Sequence, residues 1–195
     1  MLHPDTEIRL VDPHVGLGIF ATRAIPRGTI VWIRDPLDLV FTPEQVEAVQ
    51  GPIREHLLKY SFIDGSGRSI LCWDLSKYVN HSCEANLLST GFEFEIAVRD
   101  IAPGEQITDD YGSFNVEQSM TCCCGSPDCR GTIQADDAER LVPFWDAQIR
   151  AAFPDLLRVD QPLRPYVADP IRVEAAARDS NMLPSAVVNY VAAQR

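Results

Sequence analysis

The sequence predicts a mainly β domain with inserted helices, followed by an α-helical C-terminal extension. Two observations predict this fold class. Short apolar segments, rich in β-branched residues and separated by Pro and Gly turns, fill most of the chain before Gly131. After that glycine, longer stretches with helix-start signals take over. The length of 195 residues suits one domain with an appendage.

Strands are expected at residues 8–11, 19–21, 29–33, 60–63, 69–73 and 92–98, with a short extended piece at 106–111. In the 92–98 segment, apolar residues alternate with Glu93 and Glu95, which predicts one buried and one solvent-facing side. Thr42, Pro43 and Gln45 form a capping-box pattern and predict a helix that ends at residues 51–52. Further helices are expected at 53–59, 136–153 and 170–192.

The charge pattern restricts the classes of partner. A formal net charge of −11 argues against a surface that binds nucleic-acid phosphates, and it favours a basic protein or peptide. The alternative is that the acidic surface only keeps the protein soluble. Lys59 and Lys77 are the two lysines among 17 basic residues, a bias typical of a GC-rich, bacterial genome.

The chain has no apolar run long enough to span a membrane and no signal peptide at its start. We therefore predict no membrane contact and a cytoplasmic location, or a nuclear and chromatin-associated one for a eukaryotic chain or one delivered to a host.

Four of the six cysteines lie in residues 122–129 (CCCGSPDC), which predicts a metal site rather than disulfides. Cys122, Cys124 and Cys129 offer three thiolates for tetrahedral zinc, and the Gly-Ser-Pro turn brings the last one back. The candidates for a fourth ligand are a histidine and the three remaining cysteines. We favour Cys83, in a polar loop, because Cys72 lies in an apolar strand and Cys123 should point away. Four cysteine ligands leave no open position, so the zinc would be structural.

Four segments together resemble the SET-domain family of protein-lysine methyltransferases. They are residues 16–21 (GLGIFA) with 25–28 (IPRG), residues 77–83 (KYVNHSC), residues 104–111 (GEQITDDY), and the cysteine cluster, which resembles a post-SET motif. The resemblance covers about residues 7–133. It implies a β-clip fold with a C-terminal pseudoknot that brings Asn80 beside Tyr111. It divides the chain into a SET domain at 7–114, a post-SET segment at 115–133 and the helical extension at 134–195.

The resemblance also implies S-adenosyl-L-methionine as cofactor and a protein lysine as substrate. Tyr111 would be the catalytic tyrosine and would also contact the cofactor, with Tyr60 as a second tyrosine of the lysine channel. The cofactor would be held by a backbone turn and a polar segment, whose residues are Gly16, Leu17, Gly18, Asn80 and His81. A neutral lysine amine would attack the sulfonium methyl directly, so the work of the enzyme would be alignment and desolvation.

Asp109 is the main departure from the family pattern, which has phenylalanine or tyrosine at this position. Asp109 could face the substrate channel, hold a water, or turn to the surface. A carboxylate in the channel would favour the ammonium form of the substrate and oppose the reaction. The number of methyl groups transferred is therefore open. The alternative function is a catalytically impaired SET fold that acts as a protein-binding module.

The role of the helical extension also stays open. It could cover the substrate groove, form a dimer contact or bind a partner, and we favour simple packing against the core. The oligomeric state is not predicted. A zinc-bearing nucleic-acid binder is a third reading, which the negative charge disfavours.

Overall fold

The computed structural model describes residues 1–190. The strands are β1 Thr6–Asp12, β2 Gly16–Ala21, β3 Ile30–Ile33, β4 Leu39–Phe41, β5 Ser61–Ile63, β6 Ser69–Leu71, β7 Asn80–His81, β8 Leu87–Ser89, β9 Phe94–Ala97, β10 Gln106–Asp109, β11 Met120–Thr121 and β12 Thr132–Ile133. The helices are α1 Pro43–Ala48, α2 Gly51–Tyr60, α3 Asp137–Ala152 and α4 Pro170–Arg178. The prediction of a mainly β domain followed by helices is confirmed.

The strands form three small sheets with orders β1-β2-β10-β7, β3-β9-β8 and β4-β6-β5, and β11 pairs with β12. Within these sheets, the pairing of β10 with β7 is parallel and the other described pairings are antiparallel. A parallel pair needs a crossover, and here the crossover contains β8 and β9, which belong to another sheet. Strand β10 therefore lies between the segments that begin at Gly16 and at Asn80.

Local sequence signals explain the helix starts better than the helix ends. Thr42 Oγ1 accepts from Gln45 N at 3.3 Å and Gln45 Oε1 accepts from Thr42 N at 2.8 Å, so the predicted capping box is present. Helix α1 ends at Ala48, and residues 51–52 begin α2 instead of ending α1. The helix predicted at 170–192 is shorter: α4 ends at Arg178 and short 3₁₀ turns follow, while residues 191–192 lie outside the described part.

Strand β9 lies between two cores, which makes the predicted wet side of this segment wrong. Phe94 and Ile96 join the core formed with the C-terminal helices, whereas Ala97 joins the core between the first two sheets. Both faces are covered, so Glu95 is only 7% exposed. Alternation identified the two faces correctly but could not show that the polar one is also buried.

The C-terminal helical segment shares its core with the second sheet. Phe153 stacks on Phe92 and Phe94, with ring centroids 5.7 and 6.2 Å apart, and Trp145 and Ile149 of α3 bury their side chains in the same cluster. This supports packing against the core as the role of the extension. The domain boundaries at 114 and 133 stay predictions. In residues 1–190, no helix is both long and apolar enough to cross a bilayer.

Replacing Phe153 by alanine tests the shared core. Phe153 is fully buried, so we expect Phe153→Ala to lower the free energy of unfolding by about 3–5 kcal/mol. Urea denaturation followed through the sheet signal and through the helix signal should shift together. The control is Ile171→Ala in α4, because Ile171 is 82% exposed and should change stability by less than about 0.5 kcal/mol. Loss of helix signal alone would contradict a common core.

Candidate functional site

The pairing of β10 with both β2 and β7 brings the predicted cofactor residues together. Asn80 Nδ2 donates to the carbonyl oxygen of Leu17 at 2.9 Å. A Cβ at Gly18 would lie 2.7 Å from Gln106 Nε2 and 2.9 Å from Asn80 Nδ2, so a larger residue would displace these side chains. At Gly16, φ is +85° and the position of a Cβ is open to solvent space. Leu17 is 41% exposed, so the turn presents an apolar surface next to Asn80.

Tyr111 is fixed at both ends by the segment that contains Asn80. Its backbone N donates to His81 Nδ1 at 3.1 Å, and its hydroxyl donates to the carbonyl oxygen of Val79 at 2.8 Å. Burial, and then the nearby Asp109, raise the pKa of Tyr111 to about 12. The hydroxyl is therefore neutral and donates a hydrogen bond at pH 7. The predicted approach of Asn80 and Tyr111 is present.

Tyr60 and Tyr111 are not in direct ring contact in the described part of the chain. The ring of Tyr60 contacts His56 at 4.6 Å and Tyr78 at 5.4 Å, and Tyr78 immediately precedes Val79. The ring neighbours of Tyr111 are instead His81, at 5.5 Å, and Phe114, at 5.7 Å.

Phe114 and Phe62 form an aromatic wall that the sequence interpretation missed. The ring of Phe114 lies 5.5 Å from that of Phe62, whose edge contacts Trp32 at 5.8 Å. The signals were an aromatic residue three positions after Tyr111 and another two positions after Tyr60.

A cavity of about 340 Å³ opens beside this aromatic wall. Its wall contains Trp32, Phe62 and Phe114, and Glu95 and Ser113 contribute polar groups. Charged side chains also line it, together with two residues of the C-terminal segment: Arg34, Asp64, Arg68, Glu93, Val188 and Asn189. The helical extension thus ends against the same cavity as the first half of the chain.

The carboxyl groups of Asp109 and Glu95 form a buried pair behind this cavity. Asp109 is fully buried, so the surface position considered for it is wrong. Its Oδ1 accepts from Asp110 N at 2.6 Å, and its side chain lies within hydrogen-bonding reach of Glu95. Asp109 Oδ2 has no donor among the described residues unless one carboxyl of the pair is protonated. Burial raises the pKa of both groups, and the mutual repulsion of their charges raises that of Asp109 further.

The cysteines predicted to bind metal converge at one place. Cys83 Sγ lies 3.8 Å from Cys122 Sγ, and Cys129 Sγ lies 3.5 Å from Cys122 Sγ. The Sγ atoms of Cys83, Cys122 and Cys124 and a ring nitrogen of His81 all lie within 4.8 Å of one another. Sulfur atoms around tetrahedral zinc are separated by roughly 3.8 Å, given Zn–S bonds of about 2.3 Å.

Hydrogen bonds favour Cys129 over His81 as the fourth member of this cluster. His81 Nδ1 accepts from Tyr111 N, so in the neutral ring the proton lies on Nε2, which faces Cys83 Sγ at 3.4 Å. Burial lowers the pKa of His81 and keeps the ring neutral. His81 can then donate to a thiolate but cannot bind a metal through Nε2.

Backbone N–H groups also point at the sulfurs. Cys83 N, Arg130 N and Gly131 N lie 3.4–3.5 Å from the Sγ atoms of Cys124, Cys83 and Cys129. Burial opposes ionisation of Cys124, but N–H groups of Cys83 and Ser126 lower its pKa to about 7. Burial raises the pKa of Cys83 and Cys122, so Cys124 is the thiol whose ionised, metal-binding form these N–H groups favour.

The two remaining cysteines behave as expected. Cys72 is buried, and burial raises the pKa of its thiol to about 12. Cys123 is exposed.

A buried ion pair joins this cluster to Tyr111. The guanidinium of Arg130 binds both carboxylate oxygens of Asp110, at 2.6 and 2.7 Å. Asp110 Oδ2 also accepts from Trp145 Nε1 at 3.1 Å, and Oδ1 accepts from Gly112 N at 3.0 Å. The sequence did not predict this network, because its members lie far apart in the chain.

Comparison with known proteins gives a consistent result. A family model described as SET domain matches residues 16–112. Histone-lysine N-methyltransferase ATX2 of Arabidopsis thaliana is 32% identical over 143 residues, which are 64% of this chain and 12% of that relative. Histone-lysine N-methyltransferase TRX1 of Oryza sativa subsp. japonica is 30% identical over 143 residues, which are 64% of this chain and 13% of that relative. The chain thus spans about an eighth of these curated relatives.

Among solved structures, the crystal structure of KRYPTONITE in complex with mCHG DNA and SAH matches with a TM-score of 0.50. Its sequence identity is 22%, and the match covers 68% of this chain and 30% of that chain. At this identity the likeness concerns the fold alone.

The buried carboxyl pair has a measurable effect on stability. Glu95 and Asp109 have higher pKa values in the folded chain than in the unfolded chain. Their protonated carboxyl groups therefore stabilise the folded state at low pH, and this contribution is lost as the pH rises through the raised pKa values. The free energy of unfolding of Glu95→Gln relative to that of the wild-type chain should increase from pH 5 to pH 8, because the variant lacks one of the two acids. Urea denaturation at both pH values measures the difference. Glu93→Gln, which removes an exposed carboxyl from the same hairpin, controls for net charge. An equal effect of Glu95→Gln at both pH values would contradict the pairing.

Proposed function

Because the chain belongs to the SET-domain family, we propose that it transfers a methyl group from S-adenosyl-L-methionine to a lysine side chain of a protein. One observation carries the proposal. The Tyr111 hydroxyl is held on the Val79 carbonyl next to the Asn80–His81 strand, and the Tyr111 ring contacts Phe114, which lines the aromatic cavity. A cofactor on one side and a substrate amine on the other could meet at this point.

The residues proposed to hold the cofactor are Gly16, Leu17, Gly18, Asn80 and His81, with Tyr111 at the reacting end. The open space at Gly16, the exposed apolar side chain of Leu17 and the partly exposed Asn80 fit a nucleoside. The side chain of Asn80 is already used to hold the Leu17 carbonyl, so Asn80 would contact the cofactor through its backbone. His81 is similarly engaged with Tyr111 and Cys83.

The chain would contribute alignment and exclusion of water. When bound, S-adenosyl-L-methionine supplies an electrophilic methyl group on a cationic sulfur. The Phe62–Phe114 wall would guide the aliphatic part of lysine and keep water out. The Val79 carbonyl and the Tyr111 hydroxyl would surround the methyl position with oxygen atoms, which favours weak C–H···O contacts. Tyr60 remains a proposed second channel tyrosine that acts next to Tyr78.

The substrate is proposed to be a basic protein, such as a histone or a histone-like protein. A net charge of −11 attracts Lys- and Arg-rich partners, and the relatives named above are histone-lysine methyltransferases. No direct contact with nucleic acid is proposed, and the location would follow that of the substrate, in the cytoplasm or on chromatin. The dimer contact through the C-terminal helices also stays a proposal.

A second candidate function is protein binding without catalysis. The buried carboxyl pair of Glu95 and Asp109 favours it, because charge behind the channel would hold the substrate amine as ammonium. Labelled S-adenosyl-L-methionine incubated with core histones or a ribosomal protein extract distinguishes the two functions. Cofactor binding without transfer of label would favour the binding module.

Tyr111→Phe tests the role of the hydroxyl. Removing the oxygen that is anchored on Val79 should lower kcat about 100-fold and leave the fold intact, because alignment of the methyl position is lost. Label transfer to core histones gives the rate, and thermal melting checks the fold. Tyr166→Phe is the matched control, since Tyr166 is an exposed tyrosine of the C-terminal segment. Full activity of Tyr111→Phe would remove Tyr111 from the mechanism.

We also propose that Cys83, Cys122, Cys124 and Cys129 bind one structural Zn²⁺. The Sγ atoms of Cys83 and Cys129 lie 3.8 and 3.5 Å from that of Cys122, and the N–H groups directed at the sulfurs support a four-thiolate site in which Cys129 takes the place of His81. The metal would attach residues 122–129 to the loop after His81 and thereby keep Arg130 on Asp110. A site with four cysteine ligands would leave no position for a reacting water.

Cys129→Ser should abolish stoichiometric zinc binding, and removal of the metal should unfold the 115–133 segment. Elemental analysis of protein purified under reducing conditions should give about one zinc per wild-type chain. The matched control is Cys123→Ser, which changes the exposed neighbour and should keep the metal. Freshly purified wild-type protein without zinc would refute the site.

A further inference from the structure

Several buried polar atoms near the cavity have no partner in residues 1–190. Trp32 Nε1 and Ser113 Oγ belong to residues that line it and are more than nine-tenths buried. Asp109 Oδ2 is a third when no proton is shared with Glu95. Buried polar groups normally find hydrogen-bond partners, so unpaired ones that cluster around a cavity indicate a polar ligand.

The chemistry of the cavity indicates a cation. Trp32, Phe62 and Phe114 present aromatic surfaces, and Glu95 supplies a carboxyl at the same wall. Aromatic rings combined with an acid favour an alkylammonium group over a neutral or anionic one. Glu95 Oε1 is oriented by Ser89 Oγ, which donates to it at 2.9 Å.

We propose that the Glu95–Asp109 pair accepts the proton of the substrate ammonium group in this cavity and so produces the neutral amine that takes up the methyl group. This inference rests on the proposed function and adds a general base to it. It also reverses the expected effect of Asp109: the carboxyl pair prepares the nucleophile instead of opposing it.

The proton balance is simple. With one proton, the pair carries a single negative charge and can accept a second proton. An N–H bond of the ammonium breaks and an O–H bond forms on a carboxyl oxygen of the pair. The electron pair left on nitrogen then forms the N–C bond to the methyl group, and the C–S bonding pair stays on sulfur.

Burial favours this transfer, because it converts two buried charges of opposite sign into two neutral groups. Both carboxyls have raised pKa values, so they bind protons more readily than exposed carboxyls do. The pair faces ionisable groups from several elements: Tyr111 and Asp110 after β10, Tyr190 in the C-terminal segment, Cys72 after β6, and the N-terminal amine. The N-terminal amine favours the charged form of Glu95, whereas the Asp110 carboxylate opposes ionisation of Asp109.

The pH dependence of the variant rates tests the proposal. Without the pair, transfer must wait for amine that is already neutral in solution. We expect Glu95→Gln to lower kcat/KM for core histones about 100-fold at pH 7 and less than about 3-fold at pH 9.5, near the ordinary amine pKa of about 10.4. Asp109→Asn should show the same pattern, a large deficit in kcat/KM at pH 7 and a small one at pH 9.5. This variant tests the proposal if Glu95→Gln does not fold. A deficit of equal size at both pH values would mean a structural role and would overturn the proposal.

Asp38→Asn is the matched control. Asp38 is a buried carboxyl outside the cavity and accepts from the backbone N of Asp35 and of Trp73. Any effect of this variant should be the same at both pH values.

Infrared difference spectra give a readout that needs no methyl transfer. Adding n-butylamine, an ammonium ion at pH 7, should increase the protonated-carboxyl band of the wild-type chain and leave that of Glu95→Gln unchanged. Tetramethylammonium fits an aromatic pocket but carries no transferable proton, so it should not increase the band. An unchanged band with n-butylamine would refute proton acceptance. If the wild-type chain transfers no methyl group, the proposed function fails, while these spectra still decide the role of the pair.

Discussion

The carboxylate of Asp110 holds two distant segments of the chain next to Tyr111. It binds Arg130 from the cysteine segment through two hydrogen bonds, Trp145 from α3 through the indole N–H, and Gly112 of its own turn. Because the carboxylate is almost fully buried, loss of Arg130 would leave an uncompensated charge, at a cost of about 3–5 kcal/mol. The position of Tyr111, the cysteine cluster and the helical extension therefore depend on one another.

The features that could be predicted are those coded by local pattern or by family motif. The capping box at Thr42 depends on residues three positions apart, and a short peptide contains all of it. The approach of Asn80 to Tyr111 followed from the resemblance, and the parallel pairing of β7 with β10 explains it physically. The convergence of Cys83 with Cys122 was predicted because cysteine spacing and a polar loop restricted the choice of partner.

The features that escaped prediction depend on what covers a surface. Glu95 looked solvent-facing because alternation cannot show that a second layer closes over a strand. The partner of Asp109 could not be read from the chain, since fourteen residues separate the two carboxyls and two different strands carry them. Helix α4 ends at Arg178 because the Asp179 carboxylate accepts from Asn181 N and begins a 3₁₀ turn, which Arg150 holds by donating to the Ser180 carbonyl.

Because Val188 and Asn189 line the cavity, the cavity is completed late during synthesis and folding of the chain. The other residues that line the cavity precede position 115 and are synthesised earlier, yet the lining is completed by Val188 and Asn189. Asn189 Nδ2 donates to the Thr90 carbonyl at 3.0 Å, a contact that spans 99 positions. Contacts of such high sequence separation form late, because a long loop must close first. A ribosome-bound chain would therefore display an open, wet half-site until the turn at Ala186–Asn189 emerges and docks.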